Sequence, residues 1–381
     1  MTNKTGLLKI LALVFALVTF IGCEINGSEY EENKEGSTKN PVALIIDKWV
    51  NGEIVKLKGD KVDEQWFTFV AAKSTQRVYV KLGTITDMYV YLYDSKSERI
   101  GNDFQISGST GKVGFAEWSV KSGETYYVKV VGRNQNWTGT FWIGFTSMPA
   151  QPETVVTSLT SKTWANGNIV SSESGGTGEQ WFKFVATADT QYVYFKYNTC
   201  TDFDVYVYDS NYNVIGNKFD AGGYGWSSGM IEKTSRLLKT GETYYIKTDN
   251  GVGTYWIGFT SFLAPPETSI TELRTNIWAN GNIIKQTDGG IGEQWFKFVA
   301  TASTQYIYFK YGSCTDFDVY VYDSDCNLIG KKFDAGGYGW SAGQIEKMSR
   351  VLSIGETYFI KTDNGVGTYW LAFNTTGSTP Q

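Results

Sequence analysis

The stretch "TDFDVYVYDS", Thr201–Ser210, returns unchanged at Thr315–Ser324 and as "TDMYVYLYDS" at Thr86–Ser95. It admits two readings. Asp202 and Asp204, like Asp316 and Asp318, suggest a carboxylate pair for glycosidic hydrolysis or two ligands of a calcium ion. The alternation of Val with Tyr suggests a β-strand, on which residues two apart face the same side about 7 Å from one another. Copy one has Tyr89 in the place of Asp204, and two acids without an oxygen-rich loop make a poor calcium site. A structural role for the acids is therefore expected over catalysis. No catalytic residue and no cofactor is assigned.

Other stretches recur with the same spacing. Trp49, Trp164 and Trp278 each open a W-x-N-G-x-I segment, followed by "EQWF" around Trp66, Trp181 and Trp295 and by "GETYY" or "GETYF" from Gly123, Gly241 and Gly355. A period of 115 and then 114 residues is the size of a domain, well above the 20 to 50 residues of a solenoid repeat. All 6 prolines lie outside the copies, as strand-rich units require, because proline cannot donate to a sheet ladder. The expected organisation is a signal peptide over 1–22, a tether over 23–42, repeats over 43–148, 153–262 and 267–376, and a tail over 377–381. The linkers "PAQPE" and "APPE" are short and stiff, so neighbouring repeats are expected to sit close together.

Within a copy, apolar residues alternate. "QWFKFVA" sets Phe182 and Phe184 against Trp181 and Lys183, and "DFDVYVYD" sets Phe203, Val205 and Val207 against Asp204, Tyr206 and Tyr208. No helix-length stretch after residue 22 keeps a 3.6-residue period. The fold class expected is all-β, with three tandem antiparallel sandwiches of seven or eight strands each, and "ANGN" is read as a tight hairpin turn.

The succession W-x-N-G-x-I, E-Q-W-F-K-F, D-F-D-V-Y-V-Y-D and G-E-T-Y-Y-I-K resembles the bacterial pre-peptidase C-terminal domain. The resemblance runs through each repeat nearly end to end. It implies a jelly-roll-like sandwich without catalytic activity, of a kind that trails secreted proteases and in some members binds matrix or polysaccharide, and in which acids matching Asp202 and Asp204 mostly bond nearby turn backbone. No protease domain precedes these copies.

The N-terminus reads as targeting. Lys4 and Lys9 precede an apolar run that ends at "FIGC", which resembles a bacterial lipoprotein signal with Cys23 as the lipidated residue. An acidic segment that cannot bury enough surface to fold follows it. The resemblance implies a lipid-anchored protein of the bacterial envelope, in the outer membrane, with the membrane as a partner. Formal net charge is −5 and no basic patch exists, which argues against nucleic acid. The absence of His removes Ser-His-Asp and Cys-His mechanisms and most zinc sites. Cys200, Cys314 and Cys326 are read as buried or unpaired thiols.

Aromatic residues remain. Trp181, Tyr206 and Tyr208, with Trp295, Tyr320 and Tyr322, fall on the outward side of their strands, where cross-strand pairing or a neighbouring domain would also account for them. In "FDAGGYGW" the rings of Tyr224 and Trp226, like those of Tyr338 and Trp340, sit among glycines that let loop and ring meet a ligand. Packing across the sandwich end is the alternative for these. The expected function is multivalent binding of a carbohydrate or a matrix-type protein. A structural spacer comes second and an envelope hydrolase last. Repeat one lacks the loop and is expected to bind poorly.

Overall fold

The computed structural model describes residues 35–57, 63–134, 136–171, 178–285 and 292–381. The signal segment, Cys23 and the start of the tether lie outside these. The described residues fall into two compact units, one ending at Ser147 and the other running from Met148 to Gln381.

Repeat one contains β1 (Val42–Ala43), β2 (Val50–Ile54), β3 (Glu64–Val70), β4 (Thr75–Leu82), β5 (Asp87–Tyr93), β6 (Arg99–Ser107), β7 (Val113–Ser119), β8 (Thr125–Gly132) and β9 (Gly139–Thr146). Repeat two has β10 (Val156–Ser158), β11 (Ala165–Ile169), β12 (Gln180–Val185), β13 (Thr190–Tyr197), β14 (Asp202–Tyr208), β15 (Phe219–Gly222), β16 (Ile231–Leu237), β17 (Thr243–Asp249) and β18 (Gly253–Thr260). Repeat three has β19 (Ile270–Glu272), β20 (Ala279–Ile283), β21 (Gln294–Val299), β22 (Thr304–Tyr311), β23 (Asp316–Tyr322), β24 (Phe333–Gly336), β25 (Ile345–Val351), β26 (Thr357–Asp363) and β27 (Gly367–Asn374).

Each repeat forms a five-stranded sheet, ordered β10-β12-β17-β14-β15 in repeat two, and a four-stranded sheet, ordered β11-β18-β13-β16. Leaving out the first strand, this is the eight-strand double Greek key of a jelly roll. The first strand is the departure from expectation: β1, β10 and β19 each run parallel to the edge strand beside them, so a repeat has nine strands and is not wholly antiparallel. The chain entering from a linker covers the sheet edge, and Leu44, Leu159 and Leu273 then tuck into the core.

The inner faces are those the alternation marked. Phe182, Phe203, Val205 and Ile246 from one sheet meet Val193, Phe195, Tyr255 and Ile257 from the other, all buried. The rings of Phe203 and Tyr255 lie 4.4 Å apart and those of Phe195 and Phe203 5.6 Å apart. Burying side chains of this size contributes about 1.5–3 kcal/mol each. The buried hydroxyl of Tyr255 meets Thr248 Oγ1 at 2.5 Å, so the core holds no orphan there. The first Tyr of each G-E-T-Y segment is a strut: Tyr126, Tyr244 and Tyr358 accept from the amides of Lys121, Lys239 and Ser353 at 2.8, 2.8 and 2.9 Å.

The "ANGN" segment is no hairpin. Residues 165–169 and 279–283 are strands, paired along their length with β18 and β27. Glycine is required at their centre because the Tyr255 and Tyr369 rings lie across Gly167 and Gly281, where an added Cβ would come within 2.2 and 2.1 Å of Cζ. The Asn-Gly pair reflects close packing of a ring on backbone. Gly281→Ala is therefore expected to overpack repeat three and cost about 1–3 kcal/mol. A thermal melt of the variant no different from wild type would contradict the packing.

Candidate binding surface

The acids of the opening stretch part company in space. Asp204 is buried and takes Lys218 Nζ at 2.7 Å, and Asp318 takes Lys332 at 2.8 Å. Hydrogen bonding to these carboxylates holds both lysines above the ordinary lysine value. Asp202 and Asp316 are exposed. In repeat one Asp87 is buried and bound by Gln105 at 2.9 Å and Arg133 at 3.1 Å. Among the described residues no group of three or more His, Cys, Asp or Glu side chains could hold a metal ion.

The expectation that Asp202 and Asp204 bond turn backbone belongs to a different acid. Asp209 Oδ1 accepts from Asn211 and Asn213 amides at 2.8 and 2.9 Å, and Asp94 and Asp323 do the same in their repeats. The reason is position. Asp204 stands mid-strand between β15 and β17, where neighbouring amides belong to the ladder, whereas Asp209 stands where the chain reverses.

The outward aromatics of the five-stranded sheet are largely withdrawn from solvent. Trp181 packs under Met148 and Ala150 of the preceding linker together with Tyr208. Trp295 lies 4.8 Å from the Phe262 ring of the second linker, and Phe262 lies 4.2 Å from Phe359. The two seams exchange volume. Repeat two receives the smaller Met148 and supplies Tyr212, 4.7 Å from Tyr245; repeat three receives Phe262 and carries Cys326 in the place of Tyr212. As they stand, Trp181, Trp295 and Tyr208 offer a ligand nothing, because an apolar linker residue on a ring stabilises both. Tyr322 is half-buried, 5.6 Å from Trp295. Tyr206 and Tyr320 are also half-buried, with Lys247 and Lys361 over their rings at 4.4 and 4.5 Å. In repeat one the matching rings of Trp66, Tyr91 and Tyr93 surround Lys129 Nζ at 5.7, 5.2 and 5.9 Å.

The glycine loops place their two rings differently. Trp226 sits edge-on against Tyr197, with ring centres 5.1 Å apart, and joins the core; Trp340 does so against Tyr311. Both therefore belong to the packing alternative. Tyr224 and Tyr338 are 109% and 110% exposed, fully open to solvent. Beneath them the loop base is locked: Glu232 Oε2 accepts from the Tyr197 hydroxyl and, at 2.9 Å, from the Gly222 amide, and the same bonds recur around Glu346. Burial, with Glu232 and Glu346 beside them, pushes the Tyr197 and Tyr311 hydroxyls up, so both donate. Gly222 has φ +88°, and an added Cβ would meet Thr201 O at 1.9 Å, so only glycine turns the chain here.

Burial disfavours the thiolate in the three described cysteines. Cys200 and Cys314 are free and buried, donate to the Asp202 and Asp316 carbonyls at 3.6 and 3.5 Å, and are pushed up by burial. Cys326, at the second seam, is also free and is shifted the same way.

No family model matches the chain, and no curated protein does. Among solved structures it is similar to the pre-peptidase C-terminal domain of a Bacillus anthracis collagenase, at 20% identity over 28% of this chain and 94% of that one, with a TM-score of 0.22. A triple jelly-roll protein from the turret of an archaeal virus is 9% identical over 86% of this chain and 91% of its own, with a TM-score of 0.19. A CBM22 tandem from Paenibacillus barcinonensis is 11% identical over 57% of this chain and 94% of its own, with a TM-score of 0.16. The fold itself rests on the strand pairings above.

Phe262→Ala would remove a ring from both Trp295 and Phe359. The expected cost is about 3–5 kcal/mol at the seam between repeats two and three, read as faster proteolysis at residues 261–266 and a red shift of tryptophan emission. Unchanged cleavage and emission would show that Phe262 does not hold the seam.

Proposed function

We propose that the chain is a non-catalytic binding protein whose sandwiches hold a carbohydrate or a matrix-type protein through several weak contacts at once. The observation that carries this is the pair Tyr224 and Tyr338. Each is a wholly exposed aromatic ring on a glycine turn whose base is fixed by a carboxylate and a core tryptophan. A ring with no contacts contributes nothing to folding, while a fixed base lowers the entropy lost when a ligand arrives.

Replacing both Tyr224 and Tyr338 with Ala is expected to leave the melting temperature unchanged and to weaken retention on glycan arrays or collagen-coated plates. The loss should be about 1–2 kcal/mol per ring, with either single change costing less than both. Retention equal to wild type would end this reading. Trp226→Ala is expected to lower stability instead, since its ring packs on Tyr197. One observation favours a spacer as the second reading: the Phe262 seam fixes repeats two and three by apolar contact.

We also propose that Cys23 carries the lipid that anchors this protein to the bacterial envelope. The support is the apolar run ending at that residue and the acidic segment after it. A fatty-acid analogue should label wild type and spare Cys23→Ser. Equal labelling of both would exclude the anchor.

A further inference from the structure

On the outer face of the four-stranded sheet, three side chains stand in one row across adjacent strands. In repeat two Asn166 pairs with Trp256, and Trp256 with Lys196. Repeat three aligns Asn280, Trp370 and Lys310 in the same way, and repeat one aligns Asn51, Trp142 and Lys81. The lysine Nζ lies 5.4, 5.6 and 5.7 Å from the indole centre in repeats two, three and one. Repeat one has lost the glycine loop and the second acid of its strand, yet it keeps this row.

Packing accounts for part of the row. An ammonium over a half-buried indole such as Trp256 stabilises by about 0.5–1 kcal/mol. It does not account for the asparagines, which are exposed and, among the described residues, bond to nothing. Among the described residues Lys196 and Lys310 have no ion pair, and the indole N–H groups of Trp256 and Trp370 have no acceptor. In repeats two and three each row therefore sets an exposed carboxamide beside a half-buried indole and lysine whose N–H and ammonium groups have no partner among the described residues, roughly 5 Å apart from strand to strand. A hydroxyl pair borders each row, Thr199 with Thr254 at 3.0 Å in repeat two. There the row also adjoins the exposed loop, because Asn198 bonds Thr254 at 2.7 Å and receives Ser228 at 3.4 Å.

We propose that this Asn–Trp–Lys row is a contact strip for an acidic polysaccharide, one per repeat, and that repeat one binds through it without a loop. The proposal rests on the carbohydrate reading above and narrows it. A pyranose would place C–H groups on the indole, hydroxyls on the asparagine, and a uronate carboxylate on the lysine in a charge-assisted bond. Donors outnumber acceptors in the row, which selects an acceptor-rich anionic sugar over a neutral one. Three strips on one chain make weak contacts additive along a polymer.

The full chain is compared with two triple variants by affinity electrophoresis in polygalacturonate and in neutral dextran, with melting temperatures measured alongside. Wild type is expected to be retarded by polygalacturonate well beyond dextran, and less so in high salt. Exchanging Asn51, Asn166 and Asn280 for Ala should weaken retardation about tenfold with no change in melting temperature, since these side chains have no partner to lose. Exchanging Lys81, Lys196 and Lys310 for Gln should abolish both the preference for the acidic polymer and its salt dependence. An asparagine variant retarded like wild type overturns the strip. Wild type that ignores polygalacturonate but binds neutral glycans through Tyr224 and Tyr338 also overturns it, while leaving the carbohydrate reading intact. Retention of no glycan by any form removes both.

Discussion

Everything in this molecule depends on the two-residue period of an extended chain. Because successive side chains point to opposite faces, a strand that fills the core with Phe203, Val205 and Val207 must also present Asp204, Tyr206 and Tyr208 on its other side. Stability settles the first set. The second set is free to be used, and the three repeats use it in different ways: for ion pairs inside the repeat, for apolar contact with a linker, and for a polar row left open to solvent.

Much of the fold was legible for that reason. Inner faces, repeat spacing and strand-rich composition all follow from alternation and from proline placement, which local sequence displays. The parallel edge strands were not legible. They are two or three residues long and owe their existence to the neighbouring strand's open ladder, a tertiary circumstance. The "ANGN" segment misled because Asn-Gly is a turn signal only when φ must be positive. Here glycine is needed for the space under a tyrosine ring contributed from about ninety residues away.

The candidate surface was legible by residue type and less so by role. Aromatic content marked the strands that carry outward rings, but whether a ring is covered depends on what the linker brings to it. The signal was present in Met148 and Phe262, apolar residues at the same offset behind the last strand of their repeats, in segments otherwise read as spacers. The complementary sizes of Met148 with Tyr212 and of Phe262 with Cys326 show one contact solved twice, with the bulk supplied from opposite sides. The loop tryptophans looked like ligand anchors because glycine surrounds them, yet those glycines serve to bring Trp226 back onto Tyr197. The ring that the turn releases is the tyrosine two residues earlier.

That division clarifies why repeats which share one core differ in what they show. A side chain under a linker is matched to it in size, as the Trp181 face is to Met148 and the Trp295 face to Phe262. Loop tips have no partner, so repeat one can carry the short turn Gly108–Lys112 between β6 and β7 in the place of the glycine loop between β15 and β16. The Asn–Trp–Lys row belongs to neither case. It carries little packing that would fix asparagine in place, it stands on central and edge strands whose backbones are fully determined, and it recurs in all three repeats. An outside contact of the kind proposed would account for a recurrence that neither the core nor a linker imposes.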